Sequence, residues 1–196
     1  TAIVGRPNVG KSTLFNRLVG GQTAIVHPTS GVTRDRNYGE VEWSGKKFFL
    51  IDTGGFVPDS DERFEKAIRQ QVQLAIEEAN IILFVVDGKT GIHPSDSVIA
   101  EMLRKSASGK KIILIANKID TVDKEPALLE FYSLGLGDPF ALSAINGYNS
   151  GDLLDEITKD IPPDDSEKQD HIIKFAIIGK PNAGKSSLLN VLVGTD

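Results

Sequence analysis

Residues 5–12 read GRPNVGKS, which sets two glycines, a lysine and a hydroxyl at G-x-x-x-x-G-K-S spacing. Between a strand and a helix, that spacing suits a phosphate chain. Gly5 and Gly10 let the backbone close around a β-phosphate with its N–H groups inward. The helix start adds partial positive charge. Lys11 is then the cation for the β- and γ-phosphates and Ser12 a magnesium ligand, with Asn8, Val9 and Thr13 completing the loop. DTGG at 52–55 supplies the other phosphate-end groups. Asp52 can hold Mg²⁺ through a water, and the Gly55 N–H can bond the γ-phosphate and so sense whether it is present. An ordinary glycine turn has the same composition; the phosphate loop upstream favours the chemical reading. NKID at 117–120 addresses a base. Asp120 can accept from both N1–H and the 2-amino group of guanine, whereas adenine offers a lone pair and no amino group there. Such a mismatch is worth roughly 10⁴-fold. Asn117 ties this loop to the phosphate loop, and the stem of Lys118 covers the base. At Ser143, Ala144 and Ile145 a backbone N–H, that of Ala144, is placed for guanine O6.

Positioning those loops needs alternating strands and helices, and the pattern provides them. Apolar runs and alternation predict strands at 2–4, 38–43, 47–51, 81–86, 112–116 and 139–142. The second and third form a hairpin through Ser44-Gly45-Lys46. Helical spacing predicts helices at 11–19, 62–79, 95–106, 125–132 and 151–160. That order is an α/β layered fold. The chain also repeats itself. AIVGRPNVGKSTLFNRLVG at 2–20 returns as AIIGKPNAGKSSLLNVLVG at 176–194, an offset of 174 residues. In the second copy Gly179, Asn182, Gly184, Lys185, Ser186 and Ser187 stand where Gly5, Asn8, Gly10, Lys11, Ser12 and Thr13 stand in the first. The organisation is therefore a first domain at 1–161, an acidic proline-led linker at 162–171, and the truncated start of a second domain at 172–196. A strand at the very start and a helix cut near the end lead to the expectation of a piece of a longer protein.

Composition narrows the classes. Of 196 residues, 40% are hydrophobic and 25% charged, an ordinary globular balance. A formal charge of −5 argues against strong electrostatic nucleic-acid binding by this piece. With no cysteine, disulfide frameworks and thiolate metal sites are excluded. No apolar run approaches a membrane span and no leader pattern opens the chain, so a cytoplasmic setting without membrane partners is expected. His27, His93 and His171 lack metal or triad spacing and read as surface or loop residues. Trp43, Phe48 and Phe49 read as packing residues of the hairpin, and Asp87 as a structural strand end.

The ordered motifs resemble the GTPases of the Ras-like P-loop fold, whose sheet is six-stranded and mostly parallel with helices on both faces. The tandem loops, GRPNVGKSTLFN and GKPNAGKSSLLN, joined by an acidic linker, are similar to the Der (EngA) family of bacterial double GTPases. That resemblance implies Mg²⁺-dependent GTP hydrolysis by a nucleotide switch in assembly of the large ribosomal subunit. It also implies a precursor of that subunit as partner, met mostly through regions outside this piece. TSGVTRD at 29–35 then looks like switch I, with Thr33 on magnesium; Lys11, Thr33 and Gly55 form the catalytic set. Where related proteins place a water-orienting glutamine, after the switch-II glycine, this chain has Phe56, which implies slow intrinsic hydrolysis. Asn8 matches GTPases in which K⁺ takes the place of an arginine finger. Two other readings stay open: a GTP-holding scaffold without useful turnover, and a P-loop kinase, against which NKID and the lack of an arginine-rich lid argue.

Overall fold

The computed structural model describes residues 1–20, 37–53 and 61–162. The chain divides into two units, Thr1–Pro163 and Asp164–Asp196, and the architecture below is that of the first. Its strands are β1 (Ala2–Val4), β2 (Asn37–Trp43), β3 (Lys46–Asp52), β4 (Ile81–Asp87), β5 (Lys111–Asn117) and β6 (Phe140–Ala141). Its helices are α1 (Lys11–Val19), α2 (Asp61–Glu78), α3 (Pro94–Ser106) and α4 (Ser150–Thr158). The six strands form one sheet in the order β2-β3-β1-β4-β5-β6. Every pairing is parallel except β2 with β3.

Central strands carry continuous apolar runs because both of their faces are covered. All seven residues of β4 are buried. Alternate side chains serve two cores. Ala2, Val4, Ile82, Phe84 and Val86 meet Ile68, Val72, Ala75 and Ile76 of α2 and Ile99 and Leu103 of α3. Ile3, Leu83 and Val85 meet Leu14, Phe15 and Leu18 of α1 and Leu153, Leu154 and Ile157 of α4. Helices therefore lie on both faces, as the alternation predicts.

Three local departures have physical reasons. The hairpin turn is Ser44-Gly45 alone, with φ of 51° and 72°, and Lys46 already pairs with Trp43. Two successive positive φ values make the tight turn whose twist suits a hairpin. The expected helix at 125–132 is instead a run of 3-10 turns, Val122–Leu134, ended by Gly135 at φ 65°. Finally β3 alternates so that Phe48 is buried and Phe49 is 62% exposed, so only the first of the pair packs in the core. Trp43 packs against the second core and its indole N–H donates to Asp155 Oδ1 at 2.6 Å.

Because β1, β3, β4 and β5 run parallel, the loops that follow them lie at one end of the sheet. In open α/β sheets that end, at the switch point, is where ligands bind.

Candidate functional site

The loop after β1 is shaped by what its neighbours leave no room for. Gly5 has φ 149°, and a Cβ there would lie 2.3 Å from the Val85 carbonyl oxygen of β4. Gly10 has φ 96°, and its Cβ would lie 2.3 Å from Asn117 Nδ2. Only glycine fits both. Asn8 is left-handed at φ 63°, a conformation its short polar side chain tolerates. Val9 is fully buried beneath the loop, while Ser12 and Thr13 are exposed on the first turn of α1.

Lys11 folds back over the loop. Its Nζ donates to the carbonyls of Gly5 at 2.8 Å and Arg6 at 2.9 Å. Burial lowers its pKa to about 8, against the pull of the Asp52 carboxylate and with the help of the Arg6 guanidinium. A buried ammonium gains most from phosphate charge brought beside it. Asp52 ends β3 with no exposed surface. The next residue, Thr53, donates its hydroxyl to the Ile3 carbonyl at 2.6 Å and so fastens the end of β3 to β1.

Asn117 joins three loops. Its Nδ2 donates to the Val9 carbonyl at 2.7 Å, and its Oδ1 accepts from the Ala144 amide at 2.9 Å. Ala144 N–H, read from the sequence as the donor to guanine O6, is thus bonded to Asn117, and an O6 contact has to be shared with that bond. Lys118, at φ 72°, sends its Nζ to the Asn8 carbonyl at 2.9 Å and to Asp87 Oδ2 at 2.6 Å. Burial pushes the Asp87 carboxyl up, but Lys118 and the amides of Lys89 and Thr90 outweigh it and bring its pKa below the usual value. Asp120 Oδ1 accepts from the Ser143 hydroxyl at 2.9 Å, and its Oδ2 lies 3.1 Å from Lys89 Nζ. Ile145, at the rim, is 75% exposed.

Several supporting residues escaped the sequence reading. Arg17, on α1, donates to the carbonyls of Ala144 and Ile145 and anchors their loop. Arg6 bonds Asp96 of α3 through Nε at 3.3 Å and Thr90 through Nη2 at 3.1 Å. His93 is exposed, as expected, and also caps α3, its Nδ1 accepting from the Ser95 amide at 3.2 Å. A long-range side-chain partner leaves no local mark in a sequence. The His93 cap, followed by Pro94 at the first helical position, was the one readable signal.

These elements enclose a cleft of about 420 Å³ lined by Asn8, Gly10, Lys11, Ser12, Asn117 and Lys118 among others. The structure thus gathers the phosphate loop and the base loop into one cavity, with Asp120 and Ser143 bonded to each other beside it. Thr33, Gly55 and Phe56 lie outside the described residues, as do the linker beyond Pro162 and the second-copy set Gly179, Asn182, Gly184, Lys185, Ser186 and Ser187.

A six-stranded, mostly parallel sheet with helices on both faces, a G-x-x-x-x-G-K-S loop after its first strand and NKID after its fifth, is a Ras-like P-loop GTPase fold. The sequence pattern of the 50S ribosome-binding GTPases matches residues 1–118 and 174–196, and the chain belongs to that family. It is similar to the GTPase Der of Flavobacterium johnsoniae, with 53% identity over all of this chain and 45% of that protein. The chain thus spans under half the length of that curated relative. Among solved structures, Era of Aquifex aeolicus bound to GDP and AlF4⁻ superimposes with a TM-score of 0.61 and 31% identity, over 82% of this chain and 56% of that one. Era in complex with MgGDPNP and nucleotides of 16S ribosomal RNA gives a TM-score of 0.61 and 28% identity, over 91% of this chain and 58% of that one. Among the described residues, no helix is long and apolar enough to cross a membrane.

Proposed function

We propose that this chain binds GTP with Mg²⁺ and hydrolyses it as the first nucleotide switch of a tandem GTPase. The observation that carries the reading is Asn117, whose two hydrogen bonds lock the phosphate loop to the guanine-reading loop across one cleft. The Der and Era likenesses support it. In the reaction a water oxygen bonds the γ-phosphorus, the bond to the β–γ bridging oxygen breaks, and the water proton leaves on inorganic phosphate. Most of the catalysis is positioning and charge stabilisation. Lys11 leaves its two carbonyl partners for the β- and γ-phosphate oxygens, and the loop amides hold the β-phosphate.

The donors here suit magnesium. Ser12 Oγ stands at the start of α1, and the buried Asp52 carboxylate is close enough to Lys11 to raise its pKa. With Thr33, these would form an oxygen-only set for a hard divalent ion. When bound, Mg²⁺ would neutralise charge on the β- and γ-oxygens. Asn8 lines the same cleft, and its carboxamide oxygen would be the K⁺ ligand. Phe56 predicts slow turnover without such help and keeps the scaffold reading as the alternative.

One experiment tests the reading. GTP hydrolysis is measured with Mg²⁺ in KCl and in NaCl, alongside Asn8→Ala. The expected result is at least roughly tenfold faster turnover in KCl, lost in the variant, consistent with one charge-stabilising contact. Equal rates in both salts would remove the K⁺ role. Tight GTP binding with no turnover in a single-turnover format would leave the scaffold.

Assembly of the large ribosomal subunit is the setting we propose, drawn from the family description and the Der likeness. With a charge of −5, this piece is a weak candidate for RNA contact, which falls to other regions of the full protein. The repeated loop at 179–187 would give that protein a second guanine-nucleotide site.

Arg17→Ala provides a smaller test. Removing both anchors of the 144–145 backbone is expected to raise the GDP off-rate about fivefold to tenfold, in line with about 1 kcal/mol for hydrogen bonds of this kind. An unchanged off-rate in stopped flow would show that the loop holds itself.

A further inference from the structure

The cleft has one wall that no motif accounts for. Among the described residues that line it, Gln71 comes from α2, and the rest from the phosphate loop, the start of α1 and the base loops. Its direction is set by the core. Ile68, Val72, Ala75, Ile76 and Ala79 are buried with at most 6% exposure, and they fix the rotation of α2 about its axis. Gln71 stands next to Val72 and one turn after Ile68, on the margin of that buried stripe, and is half-buried. Helical side chains tilt toward the N-terminus of their helix. α2 packs on β1, which runs directly into Gly5, so this margin borders the phosphate loop. A solvated glutamine would be the expectation at a helix edge. Here Gln71 instead lines one cavity with Pro7, Asn8, Lys11 and Ser12.

We propose that Gln71 is a catalytic residue that orients the attacking water at the γ-phosphate, the task for which the position after Gly55 offers only Phe56. The inference rests on the GTPase reading above. A carboxamide has one acceptor oxygen and an amino group with two donors. Its Oε1 accepts from the water and its Nε2 donates to a γ-phosphate oxygen. The water oxygen attacks phosphorus, GDP leaves as the β–γ bridge breaks, and the proton passes to the released phosphate. Gln71 takes no proton and ends as it began.

The test uses the full 196-residue chain, wild type beside Gln71→Ala and the nearly isosteric Gln71→Glu. Three quantities are read: single-turnover GTP hydrolysis, GDP affinity with and without aluminium fluoride, and melting temperature. The expected result is hydrolysis reduced at least about tenfold in both variants, on the scale of a lost transition-state contact. GDP affinity stays within about twofold, the melting temperature holds, and aluminium fluoride no longer tightens GDP. Wild-type hydrolysis rates in the variants, or GDP affinity falling in step with the rate, would make Gln71 a mere wall and overturn the inference alone. A wild-type chain that binds GTP and turns over none would overturn both this inference and the GTPase reading.

Discussion

Asp120→Asn is expected to exchange the base this chain selects, weakening GTP by about 10³-fold while XTP becomes the better ligand. The carboxylate is acceptor-only and suits the adjacent N1–H and 2-amino donors of guanine. Asparagine keeps one acceptor and gains a donor. Xanthine keeps N1–H but carries a carbonyl at position 2, so it fits that pair, whereas guanine brings two donors to it. A buried unpaired donor of this sort accounts for a discrimination of 10³ or more. The fold itself has little at stake. The Lys89–Asp120 pair is broken by the change, but its two side chains are 52% and 30% exposed. Such pairs contribute at most about 1 kcal/mol. Ser143 Oγ keeps a partner in the asparagine oxygen. Competition of GTP and XTP against a fluorescent nucleotide checks this. Loss of both nucleotides, or unchanged GTP binding, would mean that Asp120 does not read the base.

Gly10→Ala is expected to abolish nucleotide binding through a residue 107 positions away in the chain. The methyl would stand 2.3 Å from Asn117 Nδ2, and the backbone at φ 96° resists any L side chain. Asn117 cannot step aside cheaply. It is 3% exposed, with Nδ2 bonded to Val9 and Oδ1 to Ala144. Displacing it leaves a buried carbonyl and a buried amide unsatisfied, at about 1–3 kcal/mol each. The left-handed backbone adds about 1–2 kcal/mol. The sum is worth at least roughly 10²-fold in affinity, as well as a clear drop in melting temperature. Isothermal titration with GDP reads the first and thermal denaturation the second. GDP affinity within tenfold of the parent would show that the loop can open without loss. Asn117→Ala should match much of the loss in binding, because both changes cut the same tie.

The second prediction turns on a long-range tie. Asn117, Lys118 and Arg17 each bond a loop distant in sequence.

Much of the fold was legible because its signals are local. The run Ile81–Val86 announces a buried strand. The spacing of Ile68, Val72, Ala75 and Ile76 announces the buried face of α2. The phosphate loop and NKID are short motifs whose chemistry lies in the residues themselves. The 122–134 segment was harder, since i to i+3 turns differ from α-helical ones by small changes of backbone angle that residue type barely encodes.

By itself, then, the sequence determined the order of the elements, the G-x-x-x-x-G-K-S and NKID motifs and the recurrence of the first motif at 179–186, since each of these is written in residue types at fixed short spacing. Only the tertiary structure decided that Gly10 must be glycine because Asn117 fills the space a Cβ would need, and that the Ala144 amide already serves Asn117. It alone lowered the Lys11 pKa by burying the ammonium, and it alone brought Gln71 of α2 to the wall of the cleft. Those outcomes depend on which atoms the packed sheet brings within a few ångströms of each other, and hydrogen bonds, desolvation and steric exclusion act only at that range.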